Sequence, residues 1–217
     1  MKTDERLKKD VMSELAWDPS INASQVGVAV SDGVVTLSGH LDTYAQKYAI
    51  EKAVGRVEGV KAIAVEVDVK LDPSHKRSDT EIATAVESAL KWHALVPDDK
   101  IHVKVEKGWI TLSGEVNWDY QRQSADKAVR SLLGVVGVSN GITLKPSVTP
   151  ENVANRIREA LTRHAELEAK NIKVSVSDSS VFLHGKVDSW SERAAAAGAA
   201  WEAPGISRVV NELSVGP

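Results

Sequence analysis

The sequence predicts an α+β protein made of three tandem α-β-β-α-β domains, each a three-stranded mixed sheet with two helices on one face. Three observations carry that prediction. The stretch Val34-Val-Thr-Leu-Ser-Gly39 returns as Trp109-Ile-Thr-Leu-Ser-Gly114 and, altered, as Ser180-Val-Phe-Leu-His-Gly185, 75 and then 71 residues on. A second glycine follows each copy by 20 residues, at Gly59, Gly134 and Gly205. Around each copy the apolar period switches between that of a helix and that of a strand in the same order. In 217 residues a period near 70 gives three units rather than one large domain, with boundaries at 1–71, 76–146 and 147–217. Units of that size bury roughly 60% of their unfolded surface, so each gains from packing on its neighbours.

Each unit opens with apolar residues four apart, which share one helix face: Leu7, Val11 and Leu15, then Ile82, Val86 and Leu90, then Val153, Ile157 and Leu161. Ser78 with Glu81 has the form of a capping box, and Thr149-Pro150 places a cap residue before a proline at the first helical position. A strictly alternating strand follows: Val26, Val28 and Val30; Ile101, Val103 and Val105; Ile172, Val174 and Val176. Asp32-Gly33 and Lys107-Gly108 suit a tight hairpin, and Asp178-Ser179 is a weaker signal for the same turn. The repeated motif is then the second strand, with Gly39, Gly114 and Gly185 closing it. Three residues later Asp42, Asn117 and Asp188 are helix-cap types. The helix after them has Ala49, Ala53 and Val57, then Ala128 and Leu132, then Ala195, Ala199 and Ala203 as its inward positions. In its third copy Gly198 costs about 1 kcal/mol relative to alanine unless something packs there. The second glycine leads into a third strand, carrying Ile63, Val65 and Val67, then Val138, Asn140 and Ile142, then Val209, Asn211 and Leu213.

Composition narrows the function classes. The chain has no cysteine, which removes disulfides and thiolate metal sites. Net charge is −3, from 27 basic and 30 acidic residues, and no unit has a basic surplus: 9 against 11, 10 against 10, and 8 against 9 in residues 1–71, 72–146 and 147–217. Nucleic acid is therefore not an expected partner. No apolar run approaches the roughly 18 residues of a membrane span. The charged amphipathic start predicts a cytoplasmic location for the chain as it stands, and a periplasmic one if a signal sequence was removed.

The element order, the V-x-L-x-G of the second strand and the G-V-x-x-V-x-N-x-I/L of the third resemble the BON domain (bacterial osmotic-stress and nodulation). The resemblance covers essentially the whole chain as three copies. It implies non-enzymatic, membrane- or envelope-associated modules of osmotically inducible type, with proposed binding to phospholipid or other macromolecules. The first copy departs from the pattern, with Val65 where the others carry Asn140 and Asn211.

No catalytic arrangement is present, and no cofactor or metal is expected: His40, His75, His93, His102, His164 and His184 fall singly. His93 and His164 suit solvated helix ends. Gly134-Val-Val-Gly137 matches a bare GxxG, but two valines leading into a buried strand do not make an RNA clamp. The candidate binding residues are Trp118 and Trp190 beside the second-helix caps, the equivalent cations Lys47, Arg122 and Arg193 one turn further on, and Asn140 and Asn211. Each has a structural reading as well. A tryptophan completes a thin core, a cation on a helix face is solvated, and an asparagine ties its strand to a neighbouring loop. Trp17 and Trp92 are equivalent, with Arg163 in the third copy, and read as core-completing. The function expected is a non-catalytic binding or adaptor protein, stress-related, meeting a phospholipid surface or envelope component through exposed second-helix surfaces. The alternative is a cytoplasmic protein–protein scaffold or self-associating homo-oligomer.

Overall fold

A computed structural model describes residues 2–145, 152–163 and 171–216. The Thr149-Pro150 cap and His164 lie outside them. The first unit contains α1 (Asp4–Trp17), β1 (Val26–Ser31), β2 (Val34–Leu41), α2 (Tyr44–Gly55) and β3 (Ala62–Val69). The second repeats it as α3 (Asp79–Trp92), β4 (Ile101–Glu106), β5 (Trp109–Val116), α4 (Asp119–Arg130) and β6 (Gly137–Leu144). The third follows as α5 (Val153–Arg163), β7 (Ile172–Ser177), β8 (Ser180–Val187), α6 (Trp190–Trp201) and β9 (Arg208–Val215).

Each sheet is mixed, with the repeated motif as its central strand: β2 runs antiparallel to β1 and parallel to β3, and the same order holds in the other units. Val35, Leu37 and Leu41 point from β2 into a core shared with Leu7, Val11 and Leu15 of α1 and Ile50, Ala53 and Val54 of α2. Both helices therefore cover one face. Asp32 and Gly33 both take positive φ, 51° and 81°, as a two-residue hairpin of matching twist needs. In the third copy Asp178 alone of the pair does so, at 52°, and the hairpin still forms.

In the first two copies a side chain from the first helix holds the turn. The carboxylate of Asp4, the first residue of α1, accepts from the backbone N–H of Asp32 at 2.8 Å and of Gly33 at 3.1 Å. Asp79 does the same for Lys107 and Gly108, both at 2.8 Å. The third copy has Pro150 at that position, without a carboxylate.

Several boundaries differ from expectation. Gly39, Gly114 and Gly185 do not end their strands, which run two residues further, to Leu41, Val116 and Val187. The glycines are internal because the backbone crosses too closely for a side chain. The second-helix caps are Thr43, Trp118 and Ser189, one residue after Asp42, Asn117 and Asp188; Thr43 Oγ1 and Ser189 Oγ accept from the third helical N–H at 3.2 and 3.1 Å. The Ser78–Glu81 capping box forms as expected. The inward residues of the second helices are Ile50, Ala53 and Val54, then Ala125 and Val129, then Ala196, Ala199 and Ala200. The expected Ala53 and Ala199 are among them, Ala203 is also buried, and Ala49, Val57, Ala128 and Leu132 pack half-buried against the same cores.

Gly137 is explained by its cross-strand partner. It pairs with Trp109, whose ring would lie 2.3 Å from any Cβ added there. The indole covers the glycine and donates to Ser139 Oγ at 2.9 Å. The first and third copies have Ala62 and Arg208 opposite Val34 and Ser180, so ring and glycine occur together in one unit.

Candidate functional site

The three second helices meet end to end. Tyr44, the first residue of α2, packs against the core of unit 2, and Arg130, the last residue of α4, lies over the Tyr48 ring at 3.4 Å. Trp201, the last residue of α6, packs against the same core, and Arg122 of α4 stacks over its ring at 4.6 Å. Trp190, the first residue of α6, packs against the core of unit 1, its Cβ 3.6 Å from where Gly55, the last residue of α2, would carry one. The start of α2 thus meets the end of α4, the start of α4 meets the end of α6, and the start of α6 meets the end of α2.

The residues at these junctions are equivalent positions that differ in every copy. The helices begin with Tyr44, Asp119 and Trp190 and end with Gly55, Arg130 and Trp201. At one junction large meets small, Trp190 against Gly55; at the other two a guanidinium stacks on a ring, Arg130 on Tyr48 and Arg122 on Trp201. Close packing makes such pairs exclusive, since a void or an overlap costs contacts either way. The Trp190 Nε1–H is buried without a hydrogen-bond partner, so shape rather than hydrogen bonding holds that junction.

Second-helix surfaces are consequently far less available than the sequence suggested, and the candidate residues there have internal partners. Lys47 Nζ donates to the Val67 carbonyl at 2.8 Å, and Arg193 Nε to the equivalent Leu213 carbonyl at 3.0 Å, each tying the second helix to the third strand. Arg122 instead pairs with the buried Asp119 and stacks on Trp201. Asn140 Nδ2 donates to the Arg122 carbonyl at 2.9 Å while its Oδ1 accepts from Ile142 N–H. Asn211 does likewise with Arg193 and Leu213. The amide therefore joins strand to helix, not to a loop, and in the first copy Val65 makes no such bond. Trp118 remains 41% exposed, and its backbone N–H donates to Gln121 Oε1 at 3.1 Å.

Trp17 and Trp92 are 84% and 88% exposed at the ends of α1 and α3. They do not complete cores as expected, because Leu15 and Leu90, two residues earlier, already fill the last inward position. Among the described residues no group of three or more His, Asp or Glu is placed to hold a metal ion, and no helix is long and apolar enough to cross a membrane.

One titration is built into the α2–α4 junction. Burial raises the Glu51 carboxyl above its ordinary value, against the opposing pull of Lys47 and Arg130. The folded chain holds this proton more tightly than the unfolded chain, so ionised Glu51 costs stability above its folded pKa, and the cost disappears once the pH drops below the ordinary glutamate value of 4.5. Glu51→Gln should melt above the parent chain at pH 7, with the gap closing toward pH 4.5. Parallel melts across that range check it, and a gap that widens on acidification would refute the assignment.

The BON domain family model matches residues 3–70, 78–146 and 150–217. The chain is 27% identical over 146 residues to Osmotically-inducible protein Y of Escherichia coli (strain K12), across 65% of this chain and 73% of that protein. Two solved structures of CdsD, a structural protein of the type III secretion system of Chlamydia trachomatis, align at 15% and 17% identity. They cover 96% and 100% of this chain and 91% and 100% of theirs, each with a TM-score of 0.27, too low to establish a common arrangement. With three matches that together span nearly every residue, this chain belongs to the BON domain family.

Proposed function

We propose that the chain is a non-catalytic, stress-related binding protein of three domains, 1–71, 76–146 and 147–217, that docks on a phospholipid surface of the cell envelope. The name of the Escherichia coli relative supports the stress connection. The observation that carries the surface reading is the pair Trp17 and Trp92, two indoles almost wholly in water at equivalent positions. Trp17, Trp92 and the exposed Arg163 end the first helix of each unit, and together we assign them to one docking rim. Indoles and a cation suit the headgroup layer, where an amphipathic ring sits between apolar and wet surroundings. Trp118 is kept as a secondary contact; Trp190, Lys47, Arg122, Arg193, Asn140 and Asn211 support the ring and the sheet that present it. The compartment follows the surface: the inner leaflet for a cytoplasmic chain, the periplasmic face where a leader is removed.

The test is co-sedimentation with phosphatidylglycerol vesicles. Half-inserting one indole removes roughly 100 Å² from water, about 2.5 kcal/mol, so Trp17→Ala with Trp92→Ala should weaken binding at least 100-fold. No binding by the parent chain at low salt would overturn the reading and leave the indoles to a protein partner, as in a scaffold.

A further inference from the structure

Between α2 and α4 lies an open groove of about 650 Å³ that no assigned role accounts for. Tyr48 and Tyr120 form apolar walls, and Lys52, Arg122, Lys127 and Arg130 line it against a single carboxylate, Asp126. This local excess occurs in a chain whose net charge is −3. It also occurs at one junction only. The α4 positions Tyr120, Gln123, Lys127 and Arg130 correspond to Ser191, Ala194, Gly198 and Trp201 in α6, which carry no charge, and to Ala45, Tyr48, Lys52 and Gly55 in α2. If the cations only solvated a helix face, every copy would serve equally well.

The guanidinium groups are held in place. Arg130 is fixed by the Tyr48 ring and by Asp126, and its buried Nε finds no hydrogen-bond partner. Arg122 is fixed by Trp201 and Asp119. Arg122 and Arg130 each already face a carboxylate, so the uncompensated charge of the groove is that of Lys52 and Lys127, which are exposed and have no ion pair among the described residues. The counter-charge from α2 is Glu51, whose desolvated carboxyl lies within electrostatic reach of Arg130. We propose that this groove binds a multiply charged phosphate group, gripped by Arg122 and Arg130 and neutralised by Lys52 and Lys127. Planar guanidinium forks match phosphate oxygens, whereas ammonium groups supply charge without fixed geometry. The volume falls in the range of small-ligand sites. The phosphate can belong to a free phosphorylated compound or to a lipid headgroup.

Calorimetric titration of the full chain with inorganic pyrophosphate tests the site. Saturable binding is expected that weakens with added salt. Lys52→Glu with Lys127→Glu should lower affinity at least tenfold, and both side chains are exposed, so the fold is preserved. Lys8→Glu with Lys9→Glu, the same charge change on α1, should leave it within twofold. Competition by phosphatidic acid vesicles, whose headgroup is a phosphomonoester, identifies a headgroup and its absence a free compound; both uphold the groove. The Trp17→Ala, Trp92→Ala chain should bind pyrophosphate normally even where it has lost vesicles, which separates this site from the proposed docking rim. Absence of saturable binding at millimolar pyrophosphate, or equal loss in the α1 control, would overturn the proposal.

Discussion

Gly114→Ala is expected to unfold the second unit while leaving the composition of its core untouched. A Cβ at Gly114 would lie 2.1 Å from the Lys100 carbonyl oxygen, and at Gly39 and Gly185 2.0 Å from those of Gln25 and Asn171. All three sit at φ between 120° and 134°, a region that is essentially reserved for glycine and costs other residues about 1–3 kcal/mol. The overlap comes on top of that strain, and neither atom can yield: Gly114 pairs with Ile101 on one side and Ile142 on the other. A combined cost above about 3 kcal/mol is a large share of what a domain this small has, and corresponds to a fall in Tm of at least roughly 12 °C. Gly198→Ala is the control. Nothing lies within 4 Å of a Cβ there, so mid-helix alanine should stabilise by about 0.5–1 kcal/mol. Melting of the two variants side by side decides the matter, and a Gly114→Ala chain that melts within 3 °C of the parent would show that the strand can reroute.

That contrast bears on what a single sequence can reveal. Period and turn chemistry repeat in all three copies, so the helix face of Leu7, Val11 and Leu15, the alternation of β1 and the hairpin at Asp32-Gly33 were legible three times over. Cap positions slipped by one because Asp42, Asn117 and Asp188 are as good a cap type as Thr43 and Ser189. The ring of second helices was hidden for a physical reason. Repetition marks what each unit needs for itself, whereas the junctions join unlike neighbours and so differ in every copy. Trp190 carries no repeat signature because the residue it meets is Gly55, and complementarity of size replaces identity. The available signal was the mismatch itself, a tryptophan at the start of α6 and a glycine at the end of α2. The exposed Trp17 and Trp92 were misjudged because their burial depends on whether Leu15 and Leu90 leave room, which no periodicity reports.

The ring makes the most exposing prediction. Units 1 and 2, and units 2 and 3, are consecutive in the chain, whereas units 3 and 1 meet, among the described residues, through non-covalent contacts centred on Trp190 and Gly55. Trp190→Ala removes roughly 100 Å² of buried apolar surface, about 2 kcal/mol after relaxation, and should shift the closed-to-open ratio of that junction by about 30-fold. Gly55→Trp should open it from the other side. Gly55 has an ordinary helical φ and 3.6 Å to the nearest Trp190 atom, so alanine fits while an indole displaces its neighbour. Combining Gly55→Trp with Trp190→Ala returns one ring to the space from the opposite helix, the arrangement Trp201 already has against the start of α4, and should close the junction again. The lack of any native cysteine lets Lys8→Cys and Lys173→Cys carry a unique pair of spin labels across units 1 and 3. A broadened distance distribution in each single variant and a narrow one in the double is the expected pattern. Narrow distributions throughout would mean that Trp190 does not hold the ring. A double variant broader than either single would mean that size complementarity is not its code, because two changes that each disrupt a shared contact can restore it only if shape is what the contact reads.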